Sequence, residues 1–396
     1  MREGWKRVKL GEIITLRRGL TYKKDDEVGF SEKIVLRSNN VNLLTHLFDY
    51  DELKYLRSDF DIPADKYIKQ GELLMCMSNG SKAHLGKVAL YDGEDDIYAF
   101  GGFMSAISHN DLIASKFLYY ALITSRFKDY INTLSAGANI NNLKTKDIDA
   151  YSIELPSLEE QHRIVELLDA EFAKIDAIKA NAEKQLQWAK DLFHSALKDL
   201  LTPKDGWEMV SIGDKFKTYS GGTPLKSHKE YYENGKIPWI NSGEVAKKYI
   251  YCCSNFISEE GLRNSSAKYF PFNTVLVAMY GATAAQAGIL KFEATSNQAV
   301  CGLLPNKDFV PEFVYYWFLL NKEKFAAMAQ GGAQPNLSQI KIKAMKIPLI
   351  SLQEQEYISE ILGQIESKIY LLEENFQETV YLCNDLKHSL LKDIFG

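Results

Sequence analysis

The chain is an internal duplication, and this feature limits the fold most, because a repeated sequence folds as two related halves. Two short elements of the first copy return 202 residues later: Gly4-Trp5 with Leu10-Gly11 returns as Gly206-Trp207 with Ile212-Gly213. Single residues follow at the same offset, with Gly19, Tyr67, Met77 and Gly86 matching Gly221, Tyr269, Met279 and Gly288. The sequence therefore predicts two copies of one folding unit.

Toward the end of each copy the offset becomes 194, so the second copy is shorter by eight residues. The matches at this offset are Gly137 with Gly331, Asn142-Leu143 with Asn336-Leu337, Ser157-Leu158-x-Glu160-Gln161 with Ser351-Leu352-x-Glu354-Gln355, and Leu197-Lys198-Asp199 with Leu391-Lys392-Asp393. Ordered matches along the whole copy indicate duplication rather than chance similarity.

Each copy has two parts, and together they predict an α/β (α+β) fold. The first part mixes β-rich runs such as Lys33–Leu36 and Thr274–Met279 with helical stretches at Ser115–Tyr130 and Pro311–Met328. The second part is a long helix. We expect four segments: a mixed α/β domain at 1–156, a helix at 157–202, a second domain at 203–350 and a second helix at 351–396.

Both helices begin with a capping sequence, in which Ser157 and Ser351 each precede a glutamate by three residues. Heptad repeats follow at Leu168, Ile175, Ala182, Ala189, Ala196 and at Leu362, Ile369, Phe376, Cys383, Leu390. Further apolar residues precede members of these series by four positions, among them Ile164, Ile178, Leu192, Ile358, Ile365, Leu372 and Leu386. Sustained seven-residue periodicity predicts a coiled-coil seam, here between two antiparallel helices related by a pseudo-two-fold axis.

Composition limits the class of protein. The net charge of −5 argues against a protein that coats nucleic acid through charge alone, although basic residues on one face remain compatible with sequence-specific binding. The apolar runs are too short for a membrane span, and no export signal is visible. The five cysteines form no CxxC pair and no ligand cluster with histidine. We expect a cytoplasmic protein with free thiols and no metal.

Recognisable catalytic motifs are missing from the sequence. The stretch Gly80–Val88 resembles a phosphate loop, but it has one residue too many between its glycines and Val88 where magnesium binding needs Ser or Thr. The string Gln334-Pro335-Asn336-Leu337 lacks the second proline and the aromatic residue of an amino-methyltransferase loop. Two non-identical domains on paired helices instead suit a protein that reads two half-sites on DNA.

The sequence resembles the specificity (S) subunit of type I restriction–modification systems over essentially its whole length. The resemblance rests on the repeated Gly-Trp elements and on five further strings: Ser220–Pro224, Ile237–Trp239, Tyr280–Thr283, Thr295–Ala299 and Pro156–Ile164. The first copy departs from this pattern, with Arg18-Gly19-Leu20-Thr21 and Ser78-Asn79-Gly80-Ser81 at the corresponding places. Such divergence is expected of two target-recognition domains that read different half-sites.

The resemblance implies a DNA-binding subunit without catalytic activity of its own. Each variable domain would read one half of a bipartite, asymmetric site on double-stranded DNA, while the helices set the spacing between the halves. Two methylation subunits would dock on the helices, bind S-adenosylmethionine and methylate adenine. Two motor-nuclease restriction subunits are a possible addition to that complex.

Base reading requires polar side chains in loops, with lysine and arginine on the phosphates. Candidates in the first domain are Arg17, Arg18, Lys23, Asn39, Asn79, Ser81, Lys82 and His84. Candidates in the second domain are Tyr219, Thr223, Lys226, Asn241, Tyr280, Thr283 and Gln298. Two alternatives stay open: a coiled-coil scaffold that binds only proteins, and a nuclease with an unrecognised catalytic site fused to its own reader.

Overall fold

The structure is a computed structural model that describes residues 4–135, 142–328 and 337–396. The Gly137–Gly331 match and Gln334, Pro335 and Asn336 lie outside these ranges. The chain forms two compact units, residues 1–183 with 376–396 and residues 184–375. Each unit therefore contains one mixed α/β domain together with a segment of each of the two long helices.

The domain of unit 1 is built from three small sheets. Its strands are β1 (Lys6–Lys9), β2 (Ile14–Arg18), β3 (Glu27–Val28), β4 (Lys33–Leu36), β5 (Lys54–Leu56), β6 (Leu73–Cys76), β7 (Val88–Leu90), β8 (Tyr98–Phe100), β9 (Met104–His109) and β10 (Ser152–Leu155). The sheet orders are β2-β9-β6-β7, β3-β5-β4-β8 and β1-β10. Its helices are α1 (Ser115–Leu122), α2 (Ser125–Ser135), α3 (Thr145–Asp149) and the long α4 (Leu158–Leu201), which continues into unit 2.

Unit 2 repeats this plan. Its strands are β11 (Glu208–Ser211), β12 (Thr218–Ser220), β13 (Ile237–Ile240), β14 (Tyr249–Ile250), β15 (Phe256–Ile257), β16 (Val275–Ala278), β17 (Ala287–Leu290), β18 (Thr295–Ser296), β19 (Val300–Leu303) and β20 (Lys346–Leu349). They form sheets ordered β12-β19-β16-β17-β14, β15-β13-β18 and β11-β20. Its helices are α5 (Ile212–Lys215), α6 (Glu259–Arg263), α7 (Pro311–Leu320), α8 (Lys322–Ala327), α9 (Gln339–Ala344) and α10 (Leu352–Phe395), whose last part belongs to unit 1.

Each domain is closed by pairing its first strand with its last. Strand β1 runs antiparallel to β10, and β11 runs antiparallel to β20 in the same way. The chain enters α4 or α10 directly after the closing strand. The predicted α/β fold with two long helices is therefore confirmed, and the central strands β6 and β16 are buried along their whole length because every residue in them is apolar.

A buried glutamine ties the start of each long helix to its domain. The Gln161 side chain is fully buried; its Nε2 donates to the carbonyls of Leu112 (2.9 Å) and Pro156 (3.0 Å), and its Oε1 accepts from the Ala114 N–H (2.9 Å). Gln355 makes the same three bonds in unit 2, to Asp308, Ile350 and Val310. The serine caps also form, with Ser157 Oγ and Ser351 Oγ accepting from the N–H three residues later.

A tyrosine–carboxylate pair fastens each domain further along its helix. In unit 1 the Tyr120 hydroxyl donates to Asp169 Oδ1 at 2.5 Å, and the Lys116 ammonium lies 2.7 Å from Oδ2. In unit 2 the Tyr316 hydroxyl donates to Glu366 Oε2 at 2.9 Å. Burial, followed by the neighbouring carboxylate, raises the pKa of both phenols. Both tyrosines therefore stay protonated and remain hydrogen-bond donors.

In unit 1 the segments of α4 and α10 run antiparallel, because Phe172 contacts Lys387, whereas Ile175, three residues later in α4, contacts Cys383, four residues earlier in α10. In unit 1, Cys383 Sγ lies 3.7 Å from the Ile175 carbonyl and Lys387 pairs with Asp176 at 2.6 Å. In unit 2, Lys190 pairs with Glu373 at 2.7 Å. Of the ten predicted seam residues, Leu168, Ile175, Leu362 and Cys383 are buried, and Ala182, Ala189, Ala196, Ile369, Phe376 and Leu390 are half-buried.

Of the predicted companion positions, Ile164 and Ile358 are buried and Ile365 and Leu372 are half-buried, whereas the later positions of α4 differ from the expectation by one residue. Ile178 and Leu192 are 54% and 62% exposed, so they lie outside the seam, as does Leu386 of α10. The half-buried companions precede the heptad series by three residues rather than four, at Val165, Phe172, Lys179, Leu186 and Phe193. The long helices therefore present apolar side chains outward.

One predicted repeat match is wrong. Gly86 corresponds to Ala285, because the Gly86 N–H bonds the Cys76 carbonyl (2.9 Å) and the Ala285 N–H bonds the Ala278 carbonyl (2.9 Å). Both residues have a positive φ, +75° and +67°. Gly288 instead lies within β17. The loop after β6 is three residues shorter in the second copy, and this change moves the offset from 202 to 199.

We expect the buried glutamine to be essential for stability. Replacing Gln355 by Leu leaves three part-buried backbone groups without their side-chain partner, and the free energy of unfolding should fall by about 3 kcal/mol. The matched control is Gln353→Leu, in the exposed first turn of the same helix. Urea denaturation should show a loss for the first variant and little change for the second; equal stability of the two would contradict the anchoring role.

Candidate nucleic-acid interface

A cleft of about 910 Å³ opens in unit 1 at one edge of its sheets. Five segments line it: the end of β2 with the residues that follow it, Glu27 of β3, the residues after β4, the loop between β6 and β7, and the turn between β8 and β9. Gly19 lets two of these segments meet, since a side chain at this position would collide with the carbonyls of Phe100 and Gly101. Gly221 has the same close contact with Ser296 and Asn297 in unit 2, which explains why this glycine is repeated.

Positive side chains outnumber negative ones in the lining of the cleft. Among the lining residues that the structure describes, the acidic side chain is Glu27, and the basic ones are Arg18, Arg37, Lys87 and His84. Burial, together with the nearby Lys87 and Lys128 ammonium groups, lowers the pKa of His84, so its imidazole is neutral at pH 7. Positive charge in the cleft therefore comes from the guanidinium groups and from Lys87, whose ammonium donates to the Val41 carbonyl at 2.6 Å.

Two polar nitrogen atoms beside the cleft are buried without a hydrogen-bond partner, Arg37 Nε and His84 Nδ1. A buried donor that lacks an acceptor costs roughly 1–3 kcal/mol. A ligand rich in acceptor oxygens could recover this energy if it let the side chains turn toward the cleft. The cleft is thus chemically suited to phosphate or to the acceptor atoms of base edges.

The neighbouring residues Arg17 and Arg18 have different environments. Arg17 pairs with Glu72 at 2.5 Å and donates to the carbonyls of Asp65 and Tyr67, which gives it a structural role. Arg18 is exposed, lines the cleft and contacts the Gly102 carbonyl at 3.4 Å. Successive side chains of a strand point to opposite faces, and here only Arg18 faces the cleft.

The other predicted residues of the first domain divide into two groups. Asn39, Asn79 and His84 line the cleft with Arg18, and Asn79 Nδ2 braces it by donating to Ser38 Oγ at 2.6 Å. Ser81 and Lys82 are exposed in a short 3₁₀ turn of the same loop, whereas Lys23 is exposed but does not line the cleft. The sequence analysis missed three lining residues: Arg37, Lys87 and Phe103. The signal for Arg37 would have been its position two residues before Asn39, and the signal for Phe103 its position directly after Gly101-Gly102.

In unit 2 the structure brings three of the seven predicted residues together. The Thr223 hydroxyl donates to Gln298 Oε1, and Asn241 Oδ1 accepts from Asn297 Nδ2 at 3.0 Å. Asn297 and Gln298 are adjacent in the chain, so the two hydrogen-bonded pairs come from neighbouring positions; we call the four residues the polar cluster. Asn297 was not among the predicted site residues. Asn241 is further held through its N–H, which donates to Glu244 at 2.8 Å.

The remaining predicted residues of unit 2 have separate surroundings. Tyr280 is 37% exposed and its carbonyl accepts from the Thr283 hydroxyl at 3.1 Å, within the turn after β16. Lys226 is exposed in the loop after β12. Tyr219 is half-buried, with the ammonium groups of Lys217 and Lys268 5.3 Å and 4.9 Å from its ring centre. Its ring packs against cations rather than standing free in a loop.

Within 4–135, 142–328 and 337–396, no group of three or more His, Cys, Asp or Glu side chains is placed to hold a metal ion. None of the helices in these ranges combines the length and apolar character that crossing a bilayer requires.

The fold and the cleft define a class: a duplicated binding protein in which two related domains, each followed by a long helix, carry different polar surfaces. The chain belongs to the family of the type I restriction modification DNA specificity domain, whose sequence model matches residues 2–187 and 204–380. The family is one of DNA-specificity domains rather than of catalytic domains, and the predicted family resemblance is confirmed.

Characterised relatives carry the same description. The chain is 26% identical to the type I restriction enzyme EcoKI specificity subunit of Escherichia coli K12, over 99% of this chain and 89% of that protein. It is 28% identical to the EcoR124I/EcoR124II specificity subunit of Escherichia coli, over 64% of this chain and 63% of that protein. The latter match therefore spans somewhat less than two thirds of the relative's length.

Solved structures share the fold. A chain from a type I restriction–modification system, solved in work on complex assembly and conformational transition, superposes with a TM-score of 0.75 at 18% identity, covering 99% of this chain and 97% of that one. The HsdS subunit from Thermoanaerobacter tengcongensis gives a TM-score of 0.61 at 18% identity, covering 100% and 97%. At this identity the likeness concerns the fold alone.

The two adjacent arginines of β2 provide a test of this site. Arg17→Ala should lower the free energy of unfolding by about 3 kcal/mol, because it leaves the buried Glu72 carboxylate without its cation. Arg18→Ala should leave stability unchanged and weaken binding to duplex DNA. Thermal denaturation and fluorescence anisotropy on both variants measure the two effects, and the assignment fails if the arginines prove interchangeable.

Proposed function

We propose that this chain is the sequence-reading subunit of a type I restriction–modification complex, in which each unit reads one half of a bipartite, asymmetric DNA site. The observation that carries the proposal is the basic cleft of unit 1, formed in a chain that belongs to a DNA-specificity family. Relatives are named as subunits of restriction enzymes, which supports a partner-dependent role.

In unit 1 the proposed division of labour follows the side-chain environments. The exposed Arg18 guanidinium binds backbone phosphate and fixes the register, because charge-assisted contacts to phosphate carry no sequence information. Arg37, Asn39 and His84 face the cleft and read base edges, with Asn79 bracing the loop through Ser38. An arginine or asparagine in such a place selects guanine or adenine through paired hydrogen bonds.

In unit 2 the polar cluster takes the reading role. The amide groups of Asn241 and Gln298 have donors and acceptors of the kind that match adenine, and each is oriented by a neighbour, Asn297 or Thr223. Lys226 is exposed on the adjoining loop and is assigned to phosphate. The amide-rich cluster of unit 2 and the arginine-rich cleft of unit 1 would select different half-sites.

The long helices are the proposed docking surface for two methylation subunits. Apolar side chains on α4 and α10 stay exposed in unit 1 (Leu167, Ile178, Tyr381, Leu382, Leu386) and in unit 2 (Trp188, Leu192, Tyr357, Tyr370, Leu371). Exposed apolar surface of this kind marks interaction sites. We place S-adenosylmethionine and the methylation chemistry on those partners, which two restriction subunits would join, and we assign no catalytic step to this chain.

The reading roles are tested by the motif that the assembled complex methylates. Asn39→Ala should relax one position in one half-site and Gln298→Ala one position in the other, each at a cost of about 1–3 kcal/mol in binding. Asn264→Ala is the matched control, because this exposed amide also donates to a backbone carbonyl. Sequencing of the methylated DNA gives the recognised motif for all three variants, and the control should leave it unchanged. If both reading variants change the same half-site, separate reading is contradicted. If the wild-type chain prefers no duplex sequence, the protein-scaffold alternative is favoured.

The docking surface has its own test. Replacing both Tyr381 (69% exposed) and Leu382 (54% exposed) with Ala should weaken affinity for the methylation subunit at least tenfold, roughly the effect of losing one buried apolar side chain. Ile340→Ala removes an apolar side chain that is 79% exposed on the short helix α9 and should have no effect. Analytical ultracentrifugation of the mixed subunits distinguishes the outcomes, and unchanged assembly of the double variant would exclude this face.

A further inference from the structure

An aromatic side chain stands exposed at the mouth of the unit 1 cleft. Phe103 is 69% exposed, lies in the turn between β8 and β9, and forms part of the cleft lining with Leu20 and Met104. Most large apolar side chains of this domain are buried, and those of the neighbouring strand β8 include Phe100, which is fully buried. The exposed ring therefore provides an apolar surface in the same site as Arg18 and Arg37.

The backbone that carries this ring is held in place. The Phe103 carbonyl accepts from the N–H groups of Met77 (2.9 Å) and Ser78 (3.1 Å), and the Met104 N–H donates to the Gly101 carbonyl (2.8 Å). Gly19 donates its N–H to the Met104 carbonyl at 3.1 Å. The turn is therefore fixed from both sides before any ligand binds, so presenting the ring to a ligand requires no reordering of the backbone.

The second unit lacks this ring at the corresponding position. The Met279 N–H bonds the Ala299 carbonyl at 2.8 Å, just as Met77 bonds Phe103, so Ala299 is the structural counterpart of Phe103. Ala299 is buried and ends in a methyl group. The exposed aromatic side chain at this turn thus belongs to unit 1 alone.

We propose that Phe103 is a wedge that stacks against a base of the half-site read by unit 1 and separates that base from its neighbour. Charge identifies the occupant, because Arg18, which contacts the carbonyl of the adjacent Gly102, and Arg37 line the same cleft and suit a polyanion. Base faces are the apolar surfaces that a duplex offers to an aromatic ring once two base pairs part. The inference rests on the proposed DNA-reading function and adds a distortion that only one half-site undergoes.

Single abasic substitutions through the recognised duplex test this proposal. Removing the neighbour of the base on which Phe103 stacks abolishes the cost of separating the two bases and keeps the stacking contact. At this abasic position the complex with the wild-type chain should therefore lose less affinity than the complex with the Phe103→Ala chain. The ratio of abasic to intact Kd should differ between the two proteins about tenfold at one position of one half-site and nowhere in the other. Contacts common to both proteins cancel in this comparison.

Two further variants keep the outcome interpretable. Phe103→Trp should restore the wild-type profile, whereas Phe30→Ala, which removes a ring that is 82% exposed away from the cleft, should leave it unchanged. Identical ratios for wild type and Phe103→Ala at every position would overturn the wedge while leaving DNA reading intact. Loss of preference for the site over unrelated duplex in the wild-type complex would instead refute the proposed function itself.

Discussion

The buried glutamine at the start of each long helix is the interaction on which the rest of each unit depends. Gln161 and Gln355 are themselves fully buried, and each side chain bonds three backbone groups of its unit. Two of those groups belong to the segment that leads into α1 or α7. The glutamine therefore fixes where α1 begins relative to α4, and where α7 begins relative to α10. The pairs Tyr120–Asp169 and Tyr316–Glu366 form further along these helices and depend on the same relative position.

On this shared scaffold the two units carry different surfaces. The loop after β6 is three residues longer than the loop after β16, and Lys87 in the first copy occupies the place of Gln286 in the second, since their carbonyls accept from Cys76 and Ala278 respectively. Burial lowers the pKa of the Lys87 ammonium, and the Gln286 Oε1 atom is buried without a partner. Differences of charge and loop length are concentrated where DNA is proposed to bind, while the closing strands and the anchoring glutamine are common to both.

The sequence was sufficient to predict the duplication, the α/β fold and the long helices, because repeats, capping serines and heptads are local or periodic signals. The match of Gly86 with Gly288 was wrong because the equal spacing concealed a shortened loop. The placement of Ile178 in the seam was wrong because a heptad series defines one seam position and leaves the second, three or four residues before it, undetermined. Site residues were harder to predict, since Arg17 and Arg18 differ only in the face of β2 to which they point. Arg37 and Phe103 were missed because five separate segments must meet before a cleft exists.

The central claim is that each domain reads its own half-site independently of the other. It is tested most directly by replacing residues 4–156 with a second copy of residues 206–350 and sequencing the DNA that the assembled complex methylates. The account predicts a motif in which the half-site of the second domain occurs twice and that of the first is lost. A methylated motif that keeps both original half-sites would contradict it.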